Sequence, residues 1–304
     1  MTAATDRSGP GGFLGFRGKG VRGKPPTDKF WEESDIAPAF KIGGWFALGI
    51  LLLPVVIVVL AGLNAGDFLT FPPDGLSLRW VIKFLTNEKF LGSYLFSMRL
   101  ALTATVISTV LGTMAAIFLA RVNFPGLSAL RAYFLSPLIL PGIVLGLALY
   151  VFYVTTFTPI TGIRLQRTLT GLTIGHVLAT MPYVIGAVSA ALFNFDQTLE
   201  EAARSLGAGA FKAFMKVTLP NIAPGVMAGA IFSFIVSFGQ FEVSLFLSAA
   251  NLEPLPITMY ISLRYKFEPI AAAAGIFAIA LVVVSMVITS RLVSLKRFSG
   301  IKFS

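Results

Sequence analysis

The feature that most constrains this chain is a set of six apolar runs, each about 20 residues or longer and almost free of charge. About 20 apolar residues in a helix span the hydrocarbon core of a bilayer, where a helix satisfies its own backbone polar groups. Only 12% of the residues are charged, about half the share in a soluble domain. The sequence therefore predicts an all-α polytopic membrane protein with six transmembrane helices, over residues 42–63, 93–120, 132–155, 170–193, 225–250 and 270–290.

The segments outside these runs predict the domain organisation and the orientation. Residues 1–40 are basic and rich in Gly and Pro, which predicts a flexible tail. Residues 41–295 form the predicted transmembrane domain, and residues 296–304 a C-terminal tail. With both termini in the cytoplasm, Lys and Arg on that side outnumber those outside by more than two to one, as the positive-inside rule favours. Three aromatic residues are candidates for an interfacial helix: Phe30, Trp31 and Phe40.

Composition and missing motifs argue against several classes of function. The net charge is +10, but the basic residues lie beside the apolar runs, so no nucleic-acid partner is expected. The absence of cysteine excludes disulfides and thiolate metal sites. One histidine and no Ser/His/acid constellation predict no catalytic residues and no metal site. No phosphate-binding loop of the G-x-x-x-x-G-K-[ST] type is present, so the chain is not expected to be an enzyme that hydrolyses ATP.

Proline and glycine predict irregular helices at two places. Pro137, Pro141 and Gly142 fall in the third run, and Pro182 falls in the fourth. A proline removes one backbone hydrogen bond and kinks a helix. The carbonyl that it frees then faces a neighbouring helix or a water-lined cavity, and simple packing geometry explains the pattern equally well.

The segment between the fourth and fifth runs, at about residues 195–222, is the most informative part of the chain. Thr198 and Glu201 have the spacing of a capping box, and Glu200 precedes Arg204 by four residues, the favourable order for an ion pair. Gly207 stands where a left-handed cap ends a helix. One apolar face is predicted, at Leu199, Ala202, Ala203 and Leu206.

A second short helix is predicted before Pro220, with Phe211, Phe214 and Met215 available to an apolar surface. Connections of this length usually have a function. One interpretation is a helix that rests on lipid headgroups. The other is a docking element for a partner protein, which the small side chains of Ala202 and Ala203 favour because they permit close contact.

The loop resembles the EAA loop of permease subunits of bacterial binding-protein-dependent ABC importers, whose pattern is EAA-x3-G-x9-I-x-L-P. Here the matching residues are Glu201-Ala-Ala203, Gly207 and Val217-Thr-Leu-Pro220, with Val replacing Ile. The stretch from Ser237 to Ser248, followed by Leu255-Pro-Ile257, is similar to the polyamine (spermidine/putrescine) branch. The resemblance covers about residues 40–295.

The resemblance implies a type I importer permease fold in a bacterial inner membrane. It implies a second permease, similar or identical, two ATP-binding subunits that carry ATP and Mg, and an extracytoplasmic solute-binding protein. This chain would bind no cofactor itself. The loop would insert into the ATP-binding subunit, with Glu201 as the polar contact, Ala202 and Ala203 as the close-packed face and Gly207 as the turn. The full predicted coupling set is Leu199, Glu200, Glu201, Ala202, Ala203, Leu206, Gly207 and Pro220.

Polar residues inside the apolar runs are candidates for function because they are costly in a membrane. Arg99, His176 and Glu242 fall at similar predicted depth, about 10 Å from the outer interface. Three interpretations are open: Arg99 and Glu242 neutralise each other, Glu242 and Gln240 line a solute pathway in which Glu242 attracts a cation, or the charged side chains reach the headgroups. The predicted pathway set is Gln240, Glu242, Ser237, Arg99, His176 and Tyr183.

The predicted function is therefore the membrane-spanning subunit of an ATP-driven importer for a polyamine or related organic cation. One rival is an ion-coupled secondary transporter, which would contain inverted repeats with paired broken helices, and no such pairing is evident between the halves. The other rival is a membrane scaffold that transports nothing. The secondary transporter leaves the EAA loop unexplained, and co-purification of an ATP-binding subunit distinguishes the scaffold from the importer.

Overall fold

The computed structural model describes residues 38–299. Most of the predicted flexible tail, with Phe30 and Trp31, lies outside the described residues, as do residues 300–304. Contacts divide the chain into one unit that ends at Leu52 and another that begins at Leu53. In the first unit, the apolar side chains of Trp45 and Phe46 are exposed.

The described residues form thirteen α-helices and no strand longer than an isolated bridge. A 3₁₀ turn occupies Ser136–Leu138, and π-helical segments occupy Tyr153–Phe157 and Phe214–Thr218. The helices, in chain order, are α1 Pro38–Gly62, α2 Arg79–Thr86, α3 Glu88–Arg121, α4 Leu127–Leu135, α5 Gly142–Phe152, α6 Thr158–Thr161, α7 Leu169–Phe193, α8 Thr198–Ser205, α9 Ala210–Ala213, α10 Leu219–Phe238, α11 Glu242–Leu247, α12 Leu255–Tyr265 and α13 Ile270–Ser299.

Six helical stretches of the described chain are long and apolar enough to cross a membrane, which confirms the predicted number of spans. The first, second, fourth and sixth agree with the prediction to within a few residues at most ends. The second is longer than predicted, and α13 continues to Ser299, past the predicted domain end at residue 295. The spans are Phe40–Gly62, Glu88–Arg121, Gly142–Thr161, Leu169–Phe193, Ala210–Phe238 and Ile270–Ile288.

The third span begins ten residues later than predicted, at Gly142 instead of Ala132. The cause is proline. Pro137 lies in the 3₁₀ turn that follows α4, and Pro141 is extended, at φ −54° and ψ 130°, immediately before α5. Because proline lacks an N–H and disfavours helix in the residue before it, the two prolines separate α4 from α5.

The fifth span is also displaced from its predicted position, and Glu242 lies outside it. The helical path is continuous from Ala210 to Phe238, so Pro220 does not end a separate short helix as predicted. The wider hydrogen-bonding pattern of the π segment lies just before Pro220, where a proline N–H is missing. The span ends at Phe238, and α11 starts at Glu242 after a short break.

The bundle is built on α3, α7 and α10, which pack against one another along their lengths. A Cβ at Gly112 of α3 would lie 2.8 Å from the Val184 Cβ, and one at Gly229 of α10 would lie 2.9 Å from the Val184 Cα. The side chains of Ser108 and Thr180 are hydrogen-bonded at 2.8 Å between α3 and α7. Small residues and buried hydroxyls therefore let these helices approach closely, as in other membrane bundles.

Candidate functional site

The predicted coupling loop begins with α8, but its cap differs from the prediction. Thr198 is the first residue of α8, and the structure shows no capping bond between its side chain and Glu201. The Thr198 backbone N–H donates instead to the Asp196 Oδ1 at 3.0 Å. Hydrogen bonds from the side chain and backbone of Thr198 lower the pKa of Asp196. The capping-box prediction was therefore wrong, because the Glu201 N–H donates to the Gln197 carbonyl at 3.2 Å and not to the Thr198 hydroxyl.

The end of α8 is the one that the sequence predicts. Gly207 is left-handed, with φ +88°, and its N–H donates to the Arg204 carbonyl at 3.0 Å. The Ala208 N–H donates to the Ala203 carbonyl at 3.1 Å. This pair of bonds is the Schellman motif, which satisfies the last carbonyls of the helix and turns the chain towards α9.

One side of α8 presents apolar side chains outward. Leu199 is 48% exposed and Leu206 is 89% exposed, and Ala202 is exposed between them. Glu201 is exposed beside this stripe, whereas Ala203 is half-buried. We call Leu199, Glu201, Ala202 and Leu206 the exposed face of α8. A face of this kind, apolar in its centre with a carboxylate at its edge, is suited to contact with another protein.

Glu200 points the other way. Its carboxylate accepts two hydrogen bonds from Arg121, at 3.1 Å from Nη1 and 2.5 Å from Nη2, and a third from the Thr218 hydroxyl. The side chain is 12% exposed. The predicted ion pair with Arg204 does not form. Burial raises the pKa of Glu200, but the bonds from Arg121 and Thr218 outweigh burial and hold that pKa below its usual value.

The second part of the loop joins α9 to α10. Phe211 is 78% exposed and Met215 is 43% exposed, so both are available for contact, and the apolar surface that they face stays a prediction. Phe214 is half-buried, with the Arg121 guanidinium 5.9 Å from its ring centroid. Pro220 is exposed at the start of α10.

His176 and Ser237, both in the predicted pathway set, come together inside the subunit. His176 is 1% exposed and its Nδ1 lies 2.9 Å from the Ser237 Oγ. Its Nε2 lies 3.0 Å from the Ser244 Oγ, whose proton goes to the Gln240 carbonyl at 2.6 Å. A neutral imidazole with its proton on Nε2 satisfies all these bonds. The cluster therefore fastens α7 to α10 and α11, and these two side chains do not line a surface.

Arg99 and Glu242 do not form the predicted ion pair. Both side chains are exposed, and the described residues provide no salt bridge or hydrogen bond to either side chain. Glu242 is the first residue of α11 and packs over the start of α5, where a Cβ at Gly142 would lie 3.4 Å from its Oε2. Of the two, only Glu242 lies at a break between helices.

Gln240 and Tyr183 are half-buried. Next to Glu242, the ring of Phe241 lies 5.2 Å from that of Tyr260, which is 39% exposed. Sequence reasoning missed Arg121, Thr218, Ser244 and Tyr260, since each acts through a neighbour distant in sequence. Among residues 38–299, no three His, Asp or Glu side chains group as metal ligands.

Comparison with known sequences identifies the family. The model of the family described as binding-protein-dependent transport system inner membrane component matches residues 90–297, which include every predicted site residue. The chain is 29% identical over 220 residues to the putrescine transport system permease protein PotI of Escherichia coli K12, covering 72% of this chain and 78% of PotI. It is 27% identical over 250 residues to the spermidine/putrescine transport system permease protein PotC of the same organism, covering 82% of this chain and 91% of PotC.

A solved structure of an ABC transporter chain has a similar fold. One chain of a bacterial alginate ABC transporter, in a complex with an alginate pentasaccharide-bound periplasmic protein, matches with a TM-score of 0.57 at 17% identity. The match covers 86% of this chain and 95% of that one. The all-α, six-span permease fold is thereby confirmed. The chain belongs to the binding-protein-dependent transport system inner membrane component family and is the permease subunit of an ABC importer in a bacterial inner membrane.

Proposed function

We propose that this permease subunit couples solute passage to ATP hydrolysis on separate ATP-binding subunits, through the exposed face of α8. The observation that carries the proposal is the pair of neighbouring glutamates. Glu200 is held inside the chain by Arg121, whereas Glu201 and Leu206 are left exposed on a helix with well-formed ends. An exposed apolar stripe on a helix of fixed position is suited to binding another protein.

The proposed assembly contains a second permease, similar or identical, two ATP-binding subunits that hold ATP and Mg, and an extracytoplasmic solute-binding protein. This chain contributes the solute pathway and binds no cofactor. Family membership favours this assembly over a secondary transporter or a scaffold, since neither has a use for a docking loop between the fourth and fifth spans.

Co-purification tests the docking face. The chain is co-expressed with the ATP-binding subunit encoded nearest to it, as wild type, Glu201→Lys or Ala202→Asp. We expect the wild type to retain the ATP-binding subunit and both variants to lose it, because each places an unmatched charge in the contact. Ala129→Asp is the control, since Ala129 is also exposed and an acid suits the first turn of α4. Retention by all three variants would show that the exposed face of α8 is not the dock.

The proposed orientation places α8 and both termini in the cytoplasm, as the distribution of Lys and Arg favours. The chain has no cysteine, so Leu206→Cys supplies a single thiol at a position that is 89% exposed, and the variant is expressed without the ATP-binding subunit that would cover it. A membrane-impermeant maleimide should label it in inverted vesicles and leave it unlabelled in intact cells or spheroplasts. The opposite labelling pattern would place α8 outside the cytoplasm and refute the proposal that it docks an ATP-binding subunit.

The proposed substrate is a polyamine or related organic cation. Two observations support it. Glu242 is an exposed carboxylate without a partner among the described residues, and it directly follows Phe241 in sequence, whose ring lies 5.2 Å from that of Tyr260. Carboxylates and aromatic rings are the groups that bind alkylammonium ions. The names of PotI and PotC, which concern putrescine and spermidine, point to the same substrates.

Uptake into vesicles that contain the full complex tests the substrate. We expect labelled putrescine or spermidine to enter with ATP, and sulfate and maltose to stay out. Glu242→Gln should lower polyamine uptake about tenfold, the effect of one lost charge-assisted contact. Uptake of only an anion or a sugar would refute the polyamine proposal while leaving the docking proposal intact.

A further inference from the structure

The strongest polar contact of the coupling loop is not on its docking face. Glu200 lies on the inner side of α8, between the exposed Leu199 and Glu201 in sequence, with its carboxylate turned towards the bundle. Two parallel hydrogen bonds join it to the Arg121 guanidinium at 3.1 and 2.5 Å, and the Thr218 hydroxyl donates to the same carboxylate. Thr218 is fully buried, and 12% of the Glu200 side chain is exposed.

The two partners of Glu200 lie at the ends of α3 and α10, two of the three principal helices (α3, α7 and α10) on which the bundle is built. Arg121 is the last residue of α3, and Thr218 is the residue immediately before α10. The Arg121 guanidinium also lies 5.9 Å from the ring centroid of Phe214, in the π-helical segment that leads into α10. One carboxylate therefore joins α8 to α3 and to α10, two of the three helices on which the bundle is built.

The geometry makes this contact stiff. A bidentate arginine–carboxylate pair fixes both distance and orientation, which a lysine or a single hydrogen bond does not. The Arg121 side chain is 40% exposed but the Glu200 side chain only 12%, so removing Arg121 leaves a poorly solvated carboxylate without its charged partner. Without the pair, α8 keeps its packing against α9 and the π-helical segment that leads into α10. No other side-chain bond between α8 and α3 is seen among the described residues, so α8 could shift without moving α3.

We propose that Arg121, Glu200 and Thr218 form a transmission link, through which a displacement of α8 reaches α3 and α10. The link is separate from the exposed face of α8, which makes contact with the ATP-binding subunit. These three residues are positioning residues: they touch neither nucleotide nor solute. The inference rests on the proposed coupling function and assigns the route by which coupling enters the membrane.

The experiment separates docking from transmission in the complete, co-expressed importer. Three quantities are measured for each variant: the ATP-binding subunit retained on purification, the rate of ATP hydrolysis, and the number of solute molecules imported per ATP hydrolysed. For Arg121→Gln and Glu200→Gln we expect full retention and continued hydrolysis, with import per ATP lowered about five- to tenfold. Thr218→Val, which is nearly isosteric, should lower import per ATP by less.

The charge-exchanged double variant R121E/E200R is the specific control, since it restores an ion pair with the partners reversed. It is compared with the single reversals Arg121→Glu and Glu200→Arg. We expect the double variant to recover part of the import per ATP that each single reversal loses, which a purely additive loss of packing would not do. Arg121→Lys keeps the charge but loses the bidentate geometry, and it should fall between wild type and Arg121→Gln.

Two results would overturn the transmission link. One is normal import per ATP in both Arg121→Gln and Glu200→Gln. The other is loss of the ATP-binding subunit in Thr218→Val and Arg121→Lys as well, which would make the contact part of the dock. Retention of the ATP-binding subunit by Ala202→Asp would refute the docking proposal instead, whatever the link variants do.

Discussion

Glu200 and Glu242 are both acidic residues beside the principal helices, at opposite ends of the α10 path, and their surroundings are opposite. The Glu200 carboxylate accepts hydrogen bonds from Arg121 and Thr218 and is largely withdrawn from the surface. The Glu242 carboxylate is exposed, and no described side chain pairs with it. A carboxylate that is satisfied within the chain holds structure together, whereas an unsatisfied one is available to a ligand.

The two regions are also held in different ways. The α8 region depends on a charged pair, whereas α11 is held by the neutral cluster of His176, Ser237 and Ser244. Ser244 and Glu242 are two residues apart on α11, so the cluster fixes the short helix whose first residue is the exposed acid. Four changes test this contrast, and each is expected to affect the free energy of unfolding less than the one before.

The largest effect is expected for His176→Ala. The change removes a fully enclosed side chain and leaves the Ser237 hydroxyl without its partner, while Ser244 keeps its bond to Gln240. The cavity and the orphaned hydroxyl should together cost about 2–4 kcal/mol. Thermal unfolding in detergent measures it. Tyr183→Phe is the control, since the Tyr183 hydroxyl has no partner among the described residues, and equal losses in both variants would contradict a clamp at His176.

The second effect is expected for Gly146→Ala. A Cβ at Gly146 would lie 2.9 Å from both the Glu242 carbonyl oxygen and the Val243 Cα. Since these are backbone atoms, α11 must move away from α5, at a cost of about 1–3 kcal/mol.

Gly186→Ala is the matched control, because a Cβ there meets nothing within 4 Å and alanine favours a helix interior. Both variants are measured by thermal unfolding and by solute uptake. Gly146→Ala should lower both stability and uptake, whereas Gly186→Ala should lower neither. A Gly146→Ala protein as stable and active as Gly186→Ala would show that close contact between α5 and α11 is unimportant.

How much of this could be predicted depends on how far apart in sequence the interacting residues lie. The six spans and the left-handed Gly207 were predictable because an apolar run and a helix cap are local patterns. The partner of Glu200 was not, since the nearby Arg204 satisfied the local spacing rule and the true partner, Arg121, stands 79 positions earlier. The burial of His176 and Ser237 was likewise not predictable, since it depends on which side of α7 and of α10 packs inward.

The misplaced ends of the third and fifth spans have a related cause. Hydropathy continues through Pro137 and Pro141 and through the break that follows Phe238, but the backbone does not. Apolar composition reports the solvent around a segment, whereas helix ends are decided by proline, glycine and tertiary contacts. Glu242 was therefore placed inside a helix that had already ended.

The third effect is a pH dependence confined to the α8 region. The pKa of Glu200 is lowered in the folded chain from its unfolded value of about 4.5. The stability that the Glu200 carboxylate contributes is therefore fully present above that unfolded pKa. The contribution is lost as the pH falls through the folded value.

Hydrogen exchange of the α8 amides, compared between wild type and Glu200→Gln at each pH, measures this contribution. The difference should be about 1 kcal/mol at pH 7 and should vanish under strong acid. Asp196, whose pKa is also lowered, is present in both proteins, so its titration does not affect the difference between them. A difference that grows as the pH falls would mean that the Glu200 carboxylate is strained and not stabilised.

The smallest effect on stability is expected for Glu242→Gln, and this smallness is the sharpest test of the contrast. An exposed carboxylate without a partner contributes little to folding, so its loss should change the free energy of unfolding by no more than about 0.5 kcal/mol. Uptake of a cation should nevertheless fall, since the amide cannot attract an ammonium group as the carboxylate does. Parallel losses of stability and uptake would instead identify Glu242 as a structural residue. Glu242→Asp, which keeps the charge on a shorter side chain, should retain more uptake than Glu242→Gln if charge is what the solute recognises.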